Sequence, residues 1–182
     1  MELSGNRILI FAADTFEDME LHYPKIRLKE AGAEVLVAGP ASKTVYTGKH
    51  GVPVKSDLGF NEVNVDQFQA LIIPGGYAPD KLRVDKKVLE ITKKFYDQGK
   101  LIAFICHAGW VPISAKVING VRCTSVNAIK DDLINAGANW VDEPVVVDQN
   151  FISSRDPNDL PQFCPAIIKF LQKNKKSQYA LT

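Results

Sequence analysis

Residues 101–110 read Leu-Ile-Ala-Phe-Ile-Cys-His-Ala-Gly-Trp. Five apolar residues run without a polar break and stop at a Cys-His pair, after which small residues follow. This is the pattern of a strand buried on both faces that ends in a sharp turn before a helix. A cysteine at that turn sits at the carboxyl edge of a sheet, beside the amides that open the next helix. Those surroundings favour a thiolate. Cys106 is therefore the candidate nucleophile, whereas Cys123 and Cys164 lie in apolar or helical contexts without an acid–base neighbour and read as buried packing residues.

Outward from that stretch, the same grammar repeats. Residues 7–12 (RILIFA), 34–38 (EVLVA), 69–74 (QALIIP) and 100–105 are short, apolar and rich in β-branched residues. Each predicts a strand of a parallel sheet. Helical patterns lie between them. Residues 16–31 form one, with Pro24 inside it and Gly32 after it. Val84, Val88, Ile91 and Phe95 share one face of another, which Gly99 terminates. Residues 45–58 carry Gly48, Gly51 and Pro53 without helical period and predict short ribbons or an inserted hairpin. Val145–Val147 and Phe151–Ile152 flank Asp148-Gln149-Asn150, a hairpin signal, and residues 159–171 predict a closing helix. Alternating strands and helices imply an α/β sheet with right-handed crossovers.

The chain has 182 residues, a net charge of +1 and 24% charged residues, which suits one domain spanning residues 1–182. The expected core is about 7–171, with 172–182 a polar tail. Near-neutral charge argues against a dedicated nucleic-acid surface; the lysines at 169, 173, 175 and 176 read as a solvated tail. The apolar run 8–13 is too short for a membrane span. Three widely spaced cysteines give neither a disulfide framework nor a zinc motif and point to a reducing cytoplasm. His22 and His50 lack metal-ligand spacing, so neither metal nor cofactor is expected.

In open α/β sheets ligands bind beyond the carboxyl ends of the strands. Three such ends carry chemistry: Ala13-Asp14-Thr15-Phe16-Glu17-Asp18, Pro74-Gly75-Gly76-Tyr77-Ala78-Pro79-Asp80 and Cys106-His107. Gly75 and Gly76 permit close backbone approach, and their amides with that of His107 are candidates for an oxyanion hole. Glu17 is a candidate partner carboxyl in the first turn of a helix, although the helix dipole favours an acid there in any case. By composition Asp14 and Asp18 serve as well.

Taken in order, FEDME (16–20), PGGYAPDKLR (74–83), ICHAGW (105–110), IKDDLINAGANWVDEPVVVD (129–148) and SRDPNDLP (154–161) resemble the PfpI family. That family groups intracellular cysteine peptidases with glutathione-independent glyoxalases and protein deglycases, within the class I glutamine amidotransferase-like superfamily. The resemblance implies a flavodoxin-like three-layer α/β sandwich with Cys106 at a nucleophile elbow. It makes Glu17 the acid that contacts the sulfur, His107 the neighbouring catalytic histidine, and Gly75, Gly76 and His107 the oxyanion amides. It places Asp80 against the histidine of an adjacent subunit, so a homodimer or larger homo-oligomer with its site at the interface is implied. Asp80 stands where peptidase-like members often carry Glu.

The leading expectation is a cofactor-free, cysteine-dependent stress-protection enzyme acting on small dicarbonyls or their protein adducts. The alternatives are an intracellular peptidase built on Cys106, His107 and Asp80, and a non-enzymatic redox-sensing or chaperone-like protein.

Overall fold

The computed structural model describes residues 2–179. Its strands are β1 (Arg7–Phe11), β2 (Glu34–Gly39), β3 (Val45–Thr47), β4 (Pro53–Lys55), β5 (Leu58–Gly59), β6 (Ala70–Ile73), β7 (Leu101–Ile105), β8 (Arg122–Cys123), β9 (Asn139–Trp140), β10 (Val145–Asp148) and β11 (Phe151–Ser154). Its α-helices are α1 (Asp18–Glu30), α2 (Ala78–Leu82), α3 (Lys86–Asp97), α4 (Trp110–Ser114), α5 (Lys130–Asn135) and α6 (Leu160–Tyr179).

Seven strands form the central sheet in the order β10-β11-β7-β6-β1-β2-β5. All pairs are parallel except β10 with β11, the hairpin foreseen around Gln149. One transverse row, Val37–Ile10–Ile72–Ala103–Ile152, crosses five strands, and every member is fully buried. The apolar runs are continuous because helices cover both faces. Helices α1 and α6 pack together on one side, whereas α4 gathers α2, α3 and α5 on the other. The result is the three-layer α/β, flavodoxin-like architecture.

Two boundaries differ from expectation. Leu3 is fully buried, and α6 continues to Tyr179. The folded region is therefore wider than 7–171, and most of the expected tail is helix; residues 180–182 lie outside the described residues. Val84 is 76% exposed and precedes α3. Asp85 explains why: its side chain accepts the amides of Lys87 and Val88, capping the helix one residue later. The 45–58 segment is an antiparallel β3–β4 hairpin separate from the main sheet, followed by the edge strand β5.

Strands β1, β6 and β7 are adjacent, so the loops leaving their carboxyl ends meet along one edge. Ser154, at the end of β11, is in register with Ile105 beside them.

Candidate active site

Cys106 follows directly from β7 and has φ +63°. A left-handed backbone at a non-glycine residue costs on the order of 1–3 kcal/mol and persists only where its surroundings hold it. Here the fully buried β7 fixes one side, and a short 3₁₀ turn (Cys106–Gly109) leading into α4 fixes the other. The turn lifts the side chain off the sheet edge and leaves it partly exposed.

Four groups surround the sulfur. The amides of His107 and Gly76 donate to it. His107 Nδ1 lies 3.3 Å from Sγ, and the imidazole rests against Trp110 at 5.3 Å between ring centroids. The Trp110 indole N–H donates to Asp132 Oδ2 at 2.7 Å, anchoring that wall. The carboxyl beside Cys106 is Glu20, one turn along α1 from Glu17. Glu20 is fully buried; its Oε2 accepts the Gly75 amide at 2.7 Å. Its Oε1 is buried without a conventional hydrogen-bond partner, a costly state for a carboxylate oxygen. A proton on Oε1 removes that cost and turns the group into a donor beside the sulfur.

Electrostatics correct one expectation: with Glu20 charged, the buried elbow disfavours the thiolate. Burial, reinforced by the charge of Glu17, pushes the Glu20 carboxyl up to about 8 against the pull of the Gly75 amide. Burial and then the Glu20 charge push the Cys106 thiol up to about 12, while the two amides and Lys49 pull it down. The two groups titrate as a pair: with Glu20 protonated its repulsion is absent and the thiol is easier to ionise. Burial and the Lys49 charge lower the pKa of His107, so its ring is neutral at neutral pH and offers a base.

Three expectations change. Glu17 faces Lys49, with Nζ–Oε2 at 2.5 Å, and His50 Nε2 at 3.7 Å; it does not contact the sulfur. Its own amide donates to Gly75 O, so Glu17 serves as the cap of α1 and turns its side chain to the hairpin tip. The Gly75 amide is occupied by Glu20 and is no oxyanion donor; Gly76 and His107 remain. Gly76 has φ +81° and forms a bridge with Phe16, where any Cβ would meet the Thr15 carbonyl oxygen at 2.6 Å. Only glycine fits there. Asp80 is exposed on α2, and its side chain has no hydrogen-bond or ion-pair partner among the described residues; within one chain it does not reach His107.

Glu20 and Lys49 are the site residues the sequence reading missed. Glu20 was accessible from spacing, since residues i and i+3 of a helix share a face. Lys49 arrives from the β3–β4 tip, thirty residues away, with no local signature. Carboxylate and imidazole atoms of Glu17, Asp18 and His50 lie within 4.8 Å of one another, a spacing that can suit a metal ion. Glu17 is already neutralised by Lys49, and both Asp18 oxygens accept backbone amides, of His50 at 2.9 Å and Val52 at 2.8 Å. The cluster reads as an ion-paired clamp.

Among the described residues no helix is long and apolar enough to cross a membrane. Residues 6–170 match the DJ-1/PfpI family. A deglycase of Pyrococcus abyssi is 53% identical over 91% of this chain and 99% of its own length. Deglycase PfpI of Pyrococcus furiosus is 49% identical over the same shares. Among solved structures, Drosophila melanogaster DJ-1beta superposes with a TM-score of 0.87 at 29% identity, covering 96% of this chain and 95% of that one. A two-domain Anabaena variabilis protein with DJ-1/ThiJ/PfpI-like and ferritin-like domains gives 0.89 at 38% identity over 91% of this chain; the chain spans 48% of that protein's length. With the elbow, the fold and these relatives in agreement, the chain belongs to the DJ-1/PfpI family.

Proposed function

We propose that the protein is a cofactor-free enzyme that uses Cys106 to act on reactive dicarbonyls and on their adducts with protein side chains. The observation that carries this reading is the buried Glu20 carboxyl beside Cys106, with its pKa pushed up to about 8. General acid–base groups work best with a pKa near the operating pH, and isomerising a 2-oxoaldehyde requires one group that both takes and returns a proton.

The steps follow from the positions. Neutral His107 accepts the thiol proton through Nδ1 as Sγ attacks the aldehyde carbon of methylglyoxal. As sulfur bonds to carbon and gives up its charge, the amides of Gly76 and His107 pass from it to the developing oxyanion, which takes the proton back from His107 to give a hemithioacetal. The ionised fraction of Glu20 removes the proton from the former aldehyde carbon and gives it to the adjacent carbon, passing through an enediol. The product is a lactoyl thioester. Water hydrolyses it to lactate and restores the thiol; no oxidant or reductant is consumed. The names of the two deglycases support extending the chemistry to hemithioacetals and aminocarbinols on proteins.

The same reading places the protein in the cytoplasm, supported by three cysteines that are all free. It also places Asp80 in a homo-oligomer, where an exposed carboxylate without a partner in its own chain is free to approach His107 of a second copy. A peptidase triad requires that intermolecular contact. The dicarbonyl chemistry uses groups already assembled in one chain, which is why it is preferred.

The test is formation of lactate from methylglyoxal without glutathione, comparing purified wild type with Cys106→Ser. Turnover that vanishes in the variant supports the reading; no turnover by folded, reduced wild type overturns it.

A further inference from the structure

We propose that Asp18 is a positioning residue that sets the reactivity of Cys106 by holding the β3–β4 hairpin tip, and with it Lys49, over the site. The inference rests on Cys106 being the reactive nucleophile. It adds a residue that touches neither the sulfur nor a substrate.

The hairpin does not belong to the main sheet, so its tip needs its own anchor. Asp18 supplies it. The side chain is 5% exposed, and its two oxygens take the amides of His50 and Val52, one on each side of Gly51. Gly48 packs so closely that a Cβ there would overlap the Asp18 carboxylate. Flanking bonds complete the clamp: Lys49 N to Phe16 O at 2.8 Å, Thr15 N to Thr47 O at 2.7 Å, and Thr47 N to Asp14 Oδ1 at 2.9 Å. Every one of these bonds joins the tip to the loop between β1 and the first turn of α1, the segment that also carries Glu17 and Glu20.

The consequence falls on Lys49. With its backbone fixed at Phe16 O, the ammonium meets Glu17 Oε2 at 2.5 Å. Glu17 N is bonded to Gly75 O, and Gly75 packs on Cys106. Lys49 is the cation that favours ionisation of Cys106 and disfavours protonation of His107. A tip released from Asp18 leaves that ammonium on a flexible ribbon, free to exchange the site for water. Two amide bonds also hold Asp18 itself ionised, its pKa below the ordinary carboxylate value despite burial. The clamp is thus charged at every pH where the thiolate forms. The titratable groups facing this assembly are Glu17 and Glu20 from α1, Lys49 and His50 from the hairpin, His107 from the elbow turn, and His22 beside Asp18.

The experiment is the pH dependence of Cys106 alkylation by iodoacetamide in the reduced full chain, with mass spectrometry locating the label. It needs no dicarbonyl substrate, so its failure and failure of the proposed reaction are separable. Asp18→Asn is expected to slow alkylation at pH 7.5 by about 3–10-fold and move the profile to higher pH. Lys49→Met should do the same, and the double variant should be no slower than Lys49→Met alone, because both changes remove one effect. Gly48→Ala, which displaces the tip from the hairpin side and leaves Asp18 intact, should reproduce the slowing and covers the case in which Asp18→Asn does not fold. Wild-type rates in folded Asp18→Asn or Gly48→Ala, no effect of Lys49→Met, or fully additive slowing in the double variant would each overturn the proposal.

Discussion

Glu20→Gln is expected to make the protein more stable in alkaline solution while destroying its activity. Glu20 titrates near 4.5 in an ordinary environment and near 8 in the fold. Below pH 4.5 the carboxyl is protonated both folded and unfolded, and the site costs nothing extra. As pH rises, the unfolded chain ionises first and gains stability that the folded chain cannot match. Folding stability therefore falls between pH 4.5 and about 8 and levels off above that. The gap between the two pKa values corresponds to roughly 5 kcal/mol in total, and to roughly 3 kcal/mol by pH 7. Glutamine keeps an oxygen for the Gly75 amide and never ionises. Relative to wild type, the variant should be nearly equal in stability at pH 4.5 and on the order of 3–5 kcal/mol more stable at pH 8. Urea unfolding of reduced protein at both pH values measures this directly. A stability difference that is the same at pH 4.5 and pH 8 would refute the assignment of Glu20 as a buried, proton-holding carboxyl. A gain in stability with a loss of function is the pattern expected when a strained charge is kept for chemistry.

Other outcomes follow from the same contacts. Gly75→Ala puts a Cβ 2.6 Å from Glu20 Oε2 and 2.7 Å from Cys106 Cβ; it should cost about 1–3 kcal/mol in urea unfolding and about 10²-fold in kcat/KM for methylglyoxal. Asp85→Ala removes the cap of α3 and should cost about 1 kcal/mol without altering the Cys106 alkylation profile, since the Asp85 side chain bonds only the amides of Lys87 and Val88. Ile72→Ala opens the middle of the transverse core row and should cost about 2–5 kcal/mol by the same assay.

The sheet was readable because parallel strands covered on both faces must be apolar throughout, and 101–105, 70–73 and 8–11 are. The hairpin at Gln149 and the stop at Gly99 were readable because turn chemistry is local. The short helices α4 and α5 were not, since five or six residues carry too little periodicity. At the site, Cys106 announced itself through the abrupt end of β7. The choice between Glu17 and Glu20 did not. Glu17 caps α1 and Glu20 lies in its first turn, and what separates them is tertiary: the Gly75 amide claims Glu20, and the hairpin's Lys49 claims Glu17. Gly75 was misassigned for a related reason, because a glycine pair signals close approach without telling which amide remains open. Asp80 could not be placed from one chain, as its expected partner belongs to another.

The most direct test of the account is kcat for glutathione-free lactate formation from methylglyoxal in Glu20→Gln against Glu17→Gln, each with Cys106 intact. The account predicts a loss of at least about 10²-fold in Glu20→Gln and less than about tenfold in Glu17→Gln, which only loosens the Lys49 pair. A Glu20→Gln variant that turns over at the wild-type rate, or a greater loss in Glu17→Gln, would contradict it.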